Sequence, residues 1–163
     1  MWFDAFSSPV GKLVVAADDA GIRHILFDEN RYDVPGRDAW RRDPIPVREA
    51  REQLLAYFAG DRREFDLLLN PVGTPFQVTV WDMLAQIPFG ETWSYRDVAL
   101  RIAMPTAVRA VGAANGRNPL PIVLPCHRVI GADGRLVGFG GGLPTKQFLL
   151  EHEGALPRQA GLL

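Results

Sequence analysis

The sequence predicts an α/β N-terminal half, a small antiparallel sheet with a helix, followed by a mainly helical C-terminal domain with a helix-turn-helix. Strand-like segments separated by turn residues fill the first 27 positions, whereas apolar residues at helical spacing follow residue 74. Two prolines and a glycine mark the change between these patterns at 70–75. We therefore predict two domains, 1–70 and 71–163, and 47% apolar residues suffice to bury a core.

The N-terminal half begins with three predicted strands joined as an antiparallel meander. They cover residues 2–6, 11–17 and 21–27. Residues 28–44 are polar and are expected to form a loop. A helix over 46–58 follows, with Pro46 in its first turn and Gly60 at its end, and then a short strand over 64–69. No pattern in this half is typical of a functional site.

The C-terminal domain is predicted to open with three helices. Their apolar spacing covers 75–86, 95–102 and 106–115. Ser94 followed by Asp97 three residues later is typical of a helix N-cap, and Met104-Pro105 makes a tight turn before the third helix. Two short helices joined in this way are the outline of a helix-turn-helix, although many helical hairpins bind nothing. Arg109 is the one long cation in the third helix, whose small side chains let its backbone approach another surface.

Composition narrows the class of protein. The single cysteine excludes an intramolecular disulfide, and three histidines without a ligand spacing lead us to expect no metal and no cofactor. The sequence has neither a signal-like N-terminal pattern nor a run of about 18 apolar residues. We expect a cytoplasmic protein that does not engage a membrane.

The net charge of −1 hides an uneven distribution. Residues 1–70 carry ten basic side chains against thirteen acidic ones, whereas 71–163 carry eight against six. Within 95–128, five arginines stand against Asp97 alone. We expect this stretch to bind a polyanion.

Cys126 lies in an apolar, strand-like run over 124–130 that also holds His127 and Arg128. A lone cysteine is more commonly a small buried hydrophobe, but neighbouring cations or a base make a thiol reactive. His127 can serve as that base, and Glu153 can orient it. Because consecutive side chains of a strand point to opposite faces, His127 reaches the sulfur only if the chain bends or a bridging water molecule connects the two.

The run Pro125-Cys126-His127-Arg128-Val129 resembles the active-site motif of the O6-alkylguanine-DNA alkyltransferases, also called methylated-DNA–protein-cysteine methyltransferases. Further motifs of that family are matched, in its order and at its spacing, at 87–95, 107–112, 115–119, 138–143 and 152–154. The resemblance covers most of 74–154, and residues 1–70 are loosely similar to the family's variable N-terminal half.

The resemblance implies a role for each catalytic residue. Cys126 would accept the alkyl group after activation through a water molecule by His127, and Glu153 would hold the imidazole. Tyr95 would bind the flipped base at N3 and stabilise the departing guanine.

It also implies a base pocket and a DNA-binding helix. The pocket would use the carbonyls of Cys126 and Val129, the N–H of Gly140, Asn118 and a wall that includes Phe139. The DNA-binding residues would be Arg109, which replaces the extruded nucleotide, and Ala110, Ala113, Ala114 and Asn115.

The function implied is DNA repair by direct reversal, a stoichiometric and irreversible transfer of the alkyl group from O6-alkylguanine, and from O4-alkylthymine, to Cys126. The partner would be double-stranded DNA bearing O6-alkylguanine, bound by a monomer, with cooperativity on DNA left open. Two alternatives remain: a cysteine hydrolase using Cys126 and His127, and a helix-turn-helix regulator without transfer chemistry. Alkyl transfer distinguishes repair from both.

Two departures from the family pattern affect these expectations. Phe139 and Gly140 stand where the family often has tyrosine and serine, so a side-chain hydroxyl contact is lost and a wider range of alkyl groups is expected. The N-terminal cysteines and histidines with which some members hold zinc are also absent from the sequence.

Overall fold

The N-terminal half is a four-stranded sheet with one helix in the computed structural model, which describes residues 1–30 and 32–156. The last seven residues of the predicted C-terminal domain lie outside this range. Strands β1 (Trp2–Ser8), β2 (Gly11–Asp18) and β3 (Gly21–Phe27) form an antiparallel meander, as predicted.

A fourth strand makes the sheet mixed rather than purely antiparallel. Strand β4 (Arg41–Arg42) pairs in parallel with β1, so the strand order is β3-β2-β1-β4. The pairing consists of hydrogen bonds from Arg41 N to Met1 O and from Asp43 N to Phe3 O. The prediction of a loop at these residues is wrong, because a two-residue strand is too short to produce an alternating pattern.

Helix α1 (Arg48–Phe58) follows a 3-10 turn at Ile45–Val47, close to the predicted helix. The predicted strand over 64–69 is wrong. These residues make one isolated bridge, between Leu69 and Ile22, and the backbone of Asp66 is held by the Gln53 side chain of α1. A side chain therefore satisfies the polar backbone groups that a strand would have paired with a neighbour.

The C-terminal half is mainly helical. Its helices are α2 (Pro75–Leu84), α3 (Tyr95–Arg101), α4 (Val108–Gly116) and α5 (Leu143–His152). The N-cap predicted at Ser94 is confirmed, since its hydroxyl accepts from Asp97 N at 3.0 Å while the Asp97 carboxylate accepts from Ser94 N at 2.8 Å. Helices α3 and α4, joined by a short turn, are the predicted helix-turn-helix.

The strand predicted over 124–130 is wrong for most of its length. Cys126–Arg128 form a 3-10 turn, and only Val129–Ile130 are extended, as strand β6 paired in parallel with β5 (Trp93–Ser94). Pro125 has φ −80° and ψ 68°, and its carbonyl accepts from Arg128 N at 3.0 Å. Apolar composition could not distinguish this turn from a strand, so the alternation of faces expected for Cys126 and His127 does not apply.

One hydrophobic cluster runs through both halves of the described chain. Its buried members include Leu13, Val15 and Ile25 of the sheet, Leu54 of α1, Trp81 of α2, Val98 of α3, Val111 of α4 and Leu149 of α5. A backbone hydrogen bond from Ile25 N to Pro119 O adds a polar link between the halves. None of the helices in residues 1–30 and 32–156 has the length and apolar character needed to cross a membrane.

The glycine-rich segment 138–142 packs on β3. The rings of Phe139 and Phe27 lie 5.4 Å apart between centroids. A Cβ added to Gly141 would lie 2.7 Å from the nearest ring atom of Phe27, whereas one added to Gly140 would have no neighbour within 4 Å. The close approach of this segment to the sheet therefore requires a glycine at 141.

We expect Gly141→Ala to lower the free energy of unfolding by about 1–3 kcal/mol, because the added methyl group overpacks the contact with Phe27. Gly140→Ala is the matched control and should leave stability nearly unchanged. Denaturant unfolding of the three proteins gives both differences. Equal losses in the two variants would contradict the packing argument.

Candidate active site

Cys126 lies at the edge of a cavity of about 450 Å³ between β3 and the C-terminal end of α4. The residue is 5% exposed. Asn118, Phe139 and Gly140, three of the residues predicted to form the pocket, line the same cavity. Tyr95 and Val129 lie outside its lining. The cysteine is therefore shielded from bulk solvent but adjoins a space large enough for a small ligand.

The imidazole of His127 is oriented by Glu153. His127 Nε2 lies 2.8 Å from Glu153 Oε2, and both side chains are fully buried. A carboxylate only accepts hydrogen bonds, so Nε2 carries the proton and Nδ1 keeps its lone pair. Nδ1 has no hydrogen-bond partner among the described residues. The pair thus holds an unprotonated ring nitrogen on the residue that follows the cysteine.

Glu153 is also paired with Arg128. Arg128 donates through Nε to Oε1 at 2.7 Å and through Nη2 to Oε2 at 2.9 Å, and its Nη1 donates to Ile87 O. Burial alone would raise the pKa of Glu153, but hydrogen bonds from His127 and Arg128, and their charges, outweigh it and hold that pKa at about 2. Glu153 is therefore ionised at neutral pH.

The resting states of Cys126 and His127 follow from their burial. Burial raises the pKa of the Cys126 thiol to about 11, although a hydrogen bond from Asn118 and the charge of Lys146 oppose it. Burial also lowers the pKa of His127, against the opposite effect of Glu153. At rest, therefore, Cys126 is a neutral thiol and His127 is a neutral imidazole, which is the available proton acceptor.

The predicted pocket residues are fixed by hydrogen bonds. Asn118 donates to Leu124 O at 2.7 Å and accepts from Leu120 N, so it ties α4 to the segment before Cys126. The Tyr95 hydroxyl donates to Val137 O at 2.9 Å. Burial, and then the nearby Cys126, raise the pKa of Tyr95, which keeps its hydroxyl protonated.

Only some of the residues predicted to bind DNA are exposed on the surface of α4. Arg109, Ala110 and Ala113 are exposed, whereas Ala114 and Asn115 are buried. The carbonyl of Ala114 accepts from the Trp81 indole at 2.8 Å, and the Asn115 amide lies 3.4 Å from Cys126 O. This placement corrects the prediction that Ala114 and Asn115 contact DNA, because both face the core.

The stretch 95–128 exposes fewer positive charges than predicted. Arg128 is buried against Glu153 and adds nothing to the surface. Four exposed arginines remain, namely Arg96, Arg101, Arg109 and Arg117. Of these, Arg101 lies over the Trp93 ring at 3.8 Å and Arg117 over the Tyr32 ring at 3.6 Å. The surface is still positive in this region.

Two residues that the sequence did not single out contact the site. Lys146 is fully buried and donates to Val129 O at 2.7 Å and Val137 O at 3.1 Å. Burial lowers the pKa of Lys146 to about 8. Tyr57 donates to Glu153 Oε2 at 2.6 Å. For both residues, the sequence signal that could have identified them is a polar group on the apolar face of a helix.

Comparison with known families matches both halves of the chain. A model described as 6-O-methylguanine DNA methyltransferase, ribonuclease-like domain, matches residues 1–71. A second, described as 6-O-methylguanine DNA methyltransferase, DNA binding domain, matches residues 75–155.

Curated proteins and solved structures agree with these matches. A methylated-DNA–protein-cysteine methyltransferase of Methanosarcina acetivorans is 46% identical over 155 residues, covering 95% of this chain and 99% of its own. One from Mycolicibacterium paratuberculosis is 49% identical over 146 residues, covering 90% and 88%. The crystal structure of Mycobacterium tuberculosis OGT in complex with DNA superposes with a TM-score of 0.88 at 44% identity, covering 95% and 94%. The chain belongs to the family of O6-alkylguanine-DNA alkyltransferases, the methylated-DNA–protein-cysteine methyltransferases.

Proposed function

We propose that this protein repairs DNA by direct reversal, transferring the alkyl group of O6-alkylguanine irreversibly to Cys126. The observation that carries the proposal is the hydrogen bond between His127 Nε2 and Glu153, which leaves Nδ1 of the residue after Cys126 as an acceptor without a partner among the described residues. Family membership and the curated relatives support the same reaction. They favour neither a cysteine hydrolase nor a DNA-binding regulator.

Proton transfer begins the proposed reaction. The buried thiol loses its proton through a water molecule to His127 Nδ1, and Glu153 stabilises the imidazolium that forms. The sulfur then forms a bond to the alkyl carbon while the bond from that carbon to guanine O6 breaks. The product is a thioether, which has no carbonyl for water to attack, so the cysteine is used once.

The departing guanine needs a proton or a hydrogen bond, because its developing negative charge makes it a poor leaving group. We assign this role to Tyr95, whose hydroxyl would turn from Val137 O to N3 of the flipped base. The carbonyls of Cys126 and Val129 would bind the exocyclic amine. A carbonyl oxygen has two lone pairs, so Val129 O can accept from the base while it accepts from Lys146.

DNA would be engaged by the exposed side of α4. Arg109 is exposed and flanked by Ala110 and Ala113, so the helix can approach a duplex closely and insert one long side chain. Because O6 is hidden in a base pair, the nucleotide must be flipped, at a cost of a few kcal/mol. The relative from Mycobacterium tuberculosis, solved with DNA, supports DNA as the partner.

The finer parts of the proposal concern substrate, assembly and location. We propose O6-alkylguanine and O4-alkylthymine in duplex DNA as substrates, and a monomer as the acting form. The domains would be 1–70 and 71–163. A free thiol nucleophile is maintained in a reducing compartment, which supports the cytoplasm.

Cys126→Ser should abolish methyl transfer and leave DNA binding nearly intact, because the change removes the only thiol but no charge. Intact-protein mass spectrometry after incubation with an O6-methylguanine duplex measures transfer, and a binding titration measures affinity. A methyl increment on the variant would disprove the central assignment.

Arg109→Ala should slow transfer from a duplex by about 10- to 100-fold and affect transfer from free O6-benzylguanine little, because only the duplex requires base flipping. Arg96→Ala, another exposed arginine on the neighbouring helix, is the matched control for lost charge. If Arg109→Ala impaired both substrates equally, the arginine would support the fold rather than the flip.

The methylated protein should melt about 2 to 10 °C below the free protein. Cys126 is 5% exposed, and an additional methyl group on its sulfur must fit between the residues that line the cavity, with an overpacking cost of about 1–3 kcal/mol. Thermal melts before and after stoichiometric reaction, with DNA removed, measure the difference. An unchanged melting temperature would refute the overpacking, and more than one methyl group removed per chain would refute single use.

A further inference from the structure

Tyr57 connects the N-terminal half to the carboxylate of the active site. It lies in the last turn of α1 and is fully buried. Its hydroxyl donates to Glu153 Oε2 at 2.6 Å, the shortest of the hydrogen bonds that this carboxylate accepts. The proposed function assigns no role to this contact.

The contact falls on the oxygen that also binds the imidazole. Glu153 Oε2 accepts from Tyr57, from His127 Nε2 at 2.8 Å and from Arg128 Nη2 at 2.9 Å. The phenol and the imidazole therefore share one centre of negative charge. A strong donor from Tyr57 reduces the charge that Oε2 presents to His127.

The phenol is held rigidly in this position. His152 Nε2 donates to the backbone carbonyl of Tyr57 at 2.8 Å, so both ends of Tyr57 are bonded to consecutive residues, His152 and Glu153. Rings surround the phenol on several sides, namely those of Phe58, Phe65, Phe89 and His152. Such surroundings exclude water, and a hydrogen bond to a charged group is strongest where water is excluded.

Building on the proposed function, we propose that Tyr57 is a positioning residue for alkyl transfer, whose hydroxyl sets how strongly Glu153 binds His127 and thereby the proton affinity of Nδ1. Without the hydroxyl, Glu153 would present more negative charge to the ring and stabilise the imidazolium more. The neutral imidazole that accepts the thiol proton would then be populated only at higher pH.

The other ionisable groups around the pair keep the sign of this effect. Arg128 beside Glu153, and Lys146 from α5, are cations that lower the pKa of His127, whereas Glu153 raises it. Cys126 is a neutral thiol at rest because burial raises its pKa to about 11. His152 contacts the backbone of Tyr57 rather than the carboxylate. Removing one donor from Glu153 leaves all of these groups in place, so the pKa of His127 rises.

The decisive experiment is the pH profile of single-turnover methyl transfer in Tyr57→Phe, from about pH 5 to about pH 9. We expect the midpoint of the acid limb to move up by about 0.5–1 pH unit. At pH values below the midpoint the variant should then react about 3- to 10-fold more slowly than the unmodified protein, and at higher pH the two rates should become similar. Leu54→Val, a buried change one turn earlier in α1, is the control for a packing defect. It should change the rate by the same factor at every pH.

Replacing Tyr57 alone by 3-fluorotyrosine tests the opposite sign and keeps the ring. Fluorine makes the phenol a stronger donor, so the acid limb should move to lower pH. A limb that stays fixed in both variants, or a Tyr57→Phe loss that is independent of pH, would overturn the inference while transfer by the unmodified protein upholds the proposed function. Absence of transfer in the unmodified protein would instead contradict the proposed function itself.

Discussion

A buried carboxylate must have its charge compensated, and Glu153 is the point from which the rest of the structure can be understood. Removing an ion from water costs several kcal/mol unless hydrogen bonds and an opposite charge replace the lost hydration. Arg128, His127 and Tyr57 supply that compensation, and Arg128 extends it to the carbonyl of Ile87. Three segments must therefore meet at the end of α5: helix α1, the turn that begins at Cys126, and the segment that follows α2.

The same burial that demands compensation at Glu153 keeps the nucleophile inactive until it is needed. A thiol with a pKa of about 11 is almost entirely protonated at neutral pH, and thiolates are the form that oxidants attack. In the proposed mechanism, the thiolate forms only when the thiol proton is transferred to His127. A protein that uses its cysteine once benefits from a nucleophile that is not spent on side reactions.

Much of the fold could be predicted because it rests on local patterns. The meander follows from alternation and turn residues, and the cap at Ser94 follows from its spacing to Asp97. Strand β4 and the 3-10 turn at Cys126 are too short for a period to develop. The contact between His127 and Glu153 was predicted first from the residues and then from the family resemblance, and the two side chains lie 2.8 Å apart. The burial of Asn115 and the contact of Tyr57 depend on how distant elements pack, which no local pattern records.

The continuous core shared by the two halves has a consequence for how such proteins change during evolution. A recombination event that exchanged the N-terminal half between relatives would replace Leu13, Ile25, Leu54 and Tyr57 together. If the incoming helix lacked a donor at the position of Tyr57, Glu153 would lose its shortest hydrogen bond in a buried site. The N-terminal half, which holds none of the residues proposed to accept the alkyl group or to bind DNA, is thus constrained at one phenol by the carboxylate of the other half.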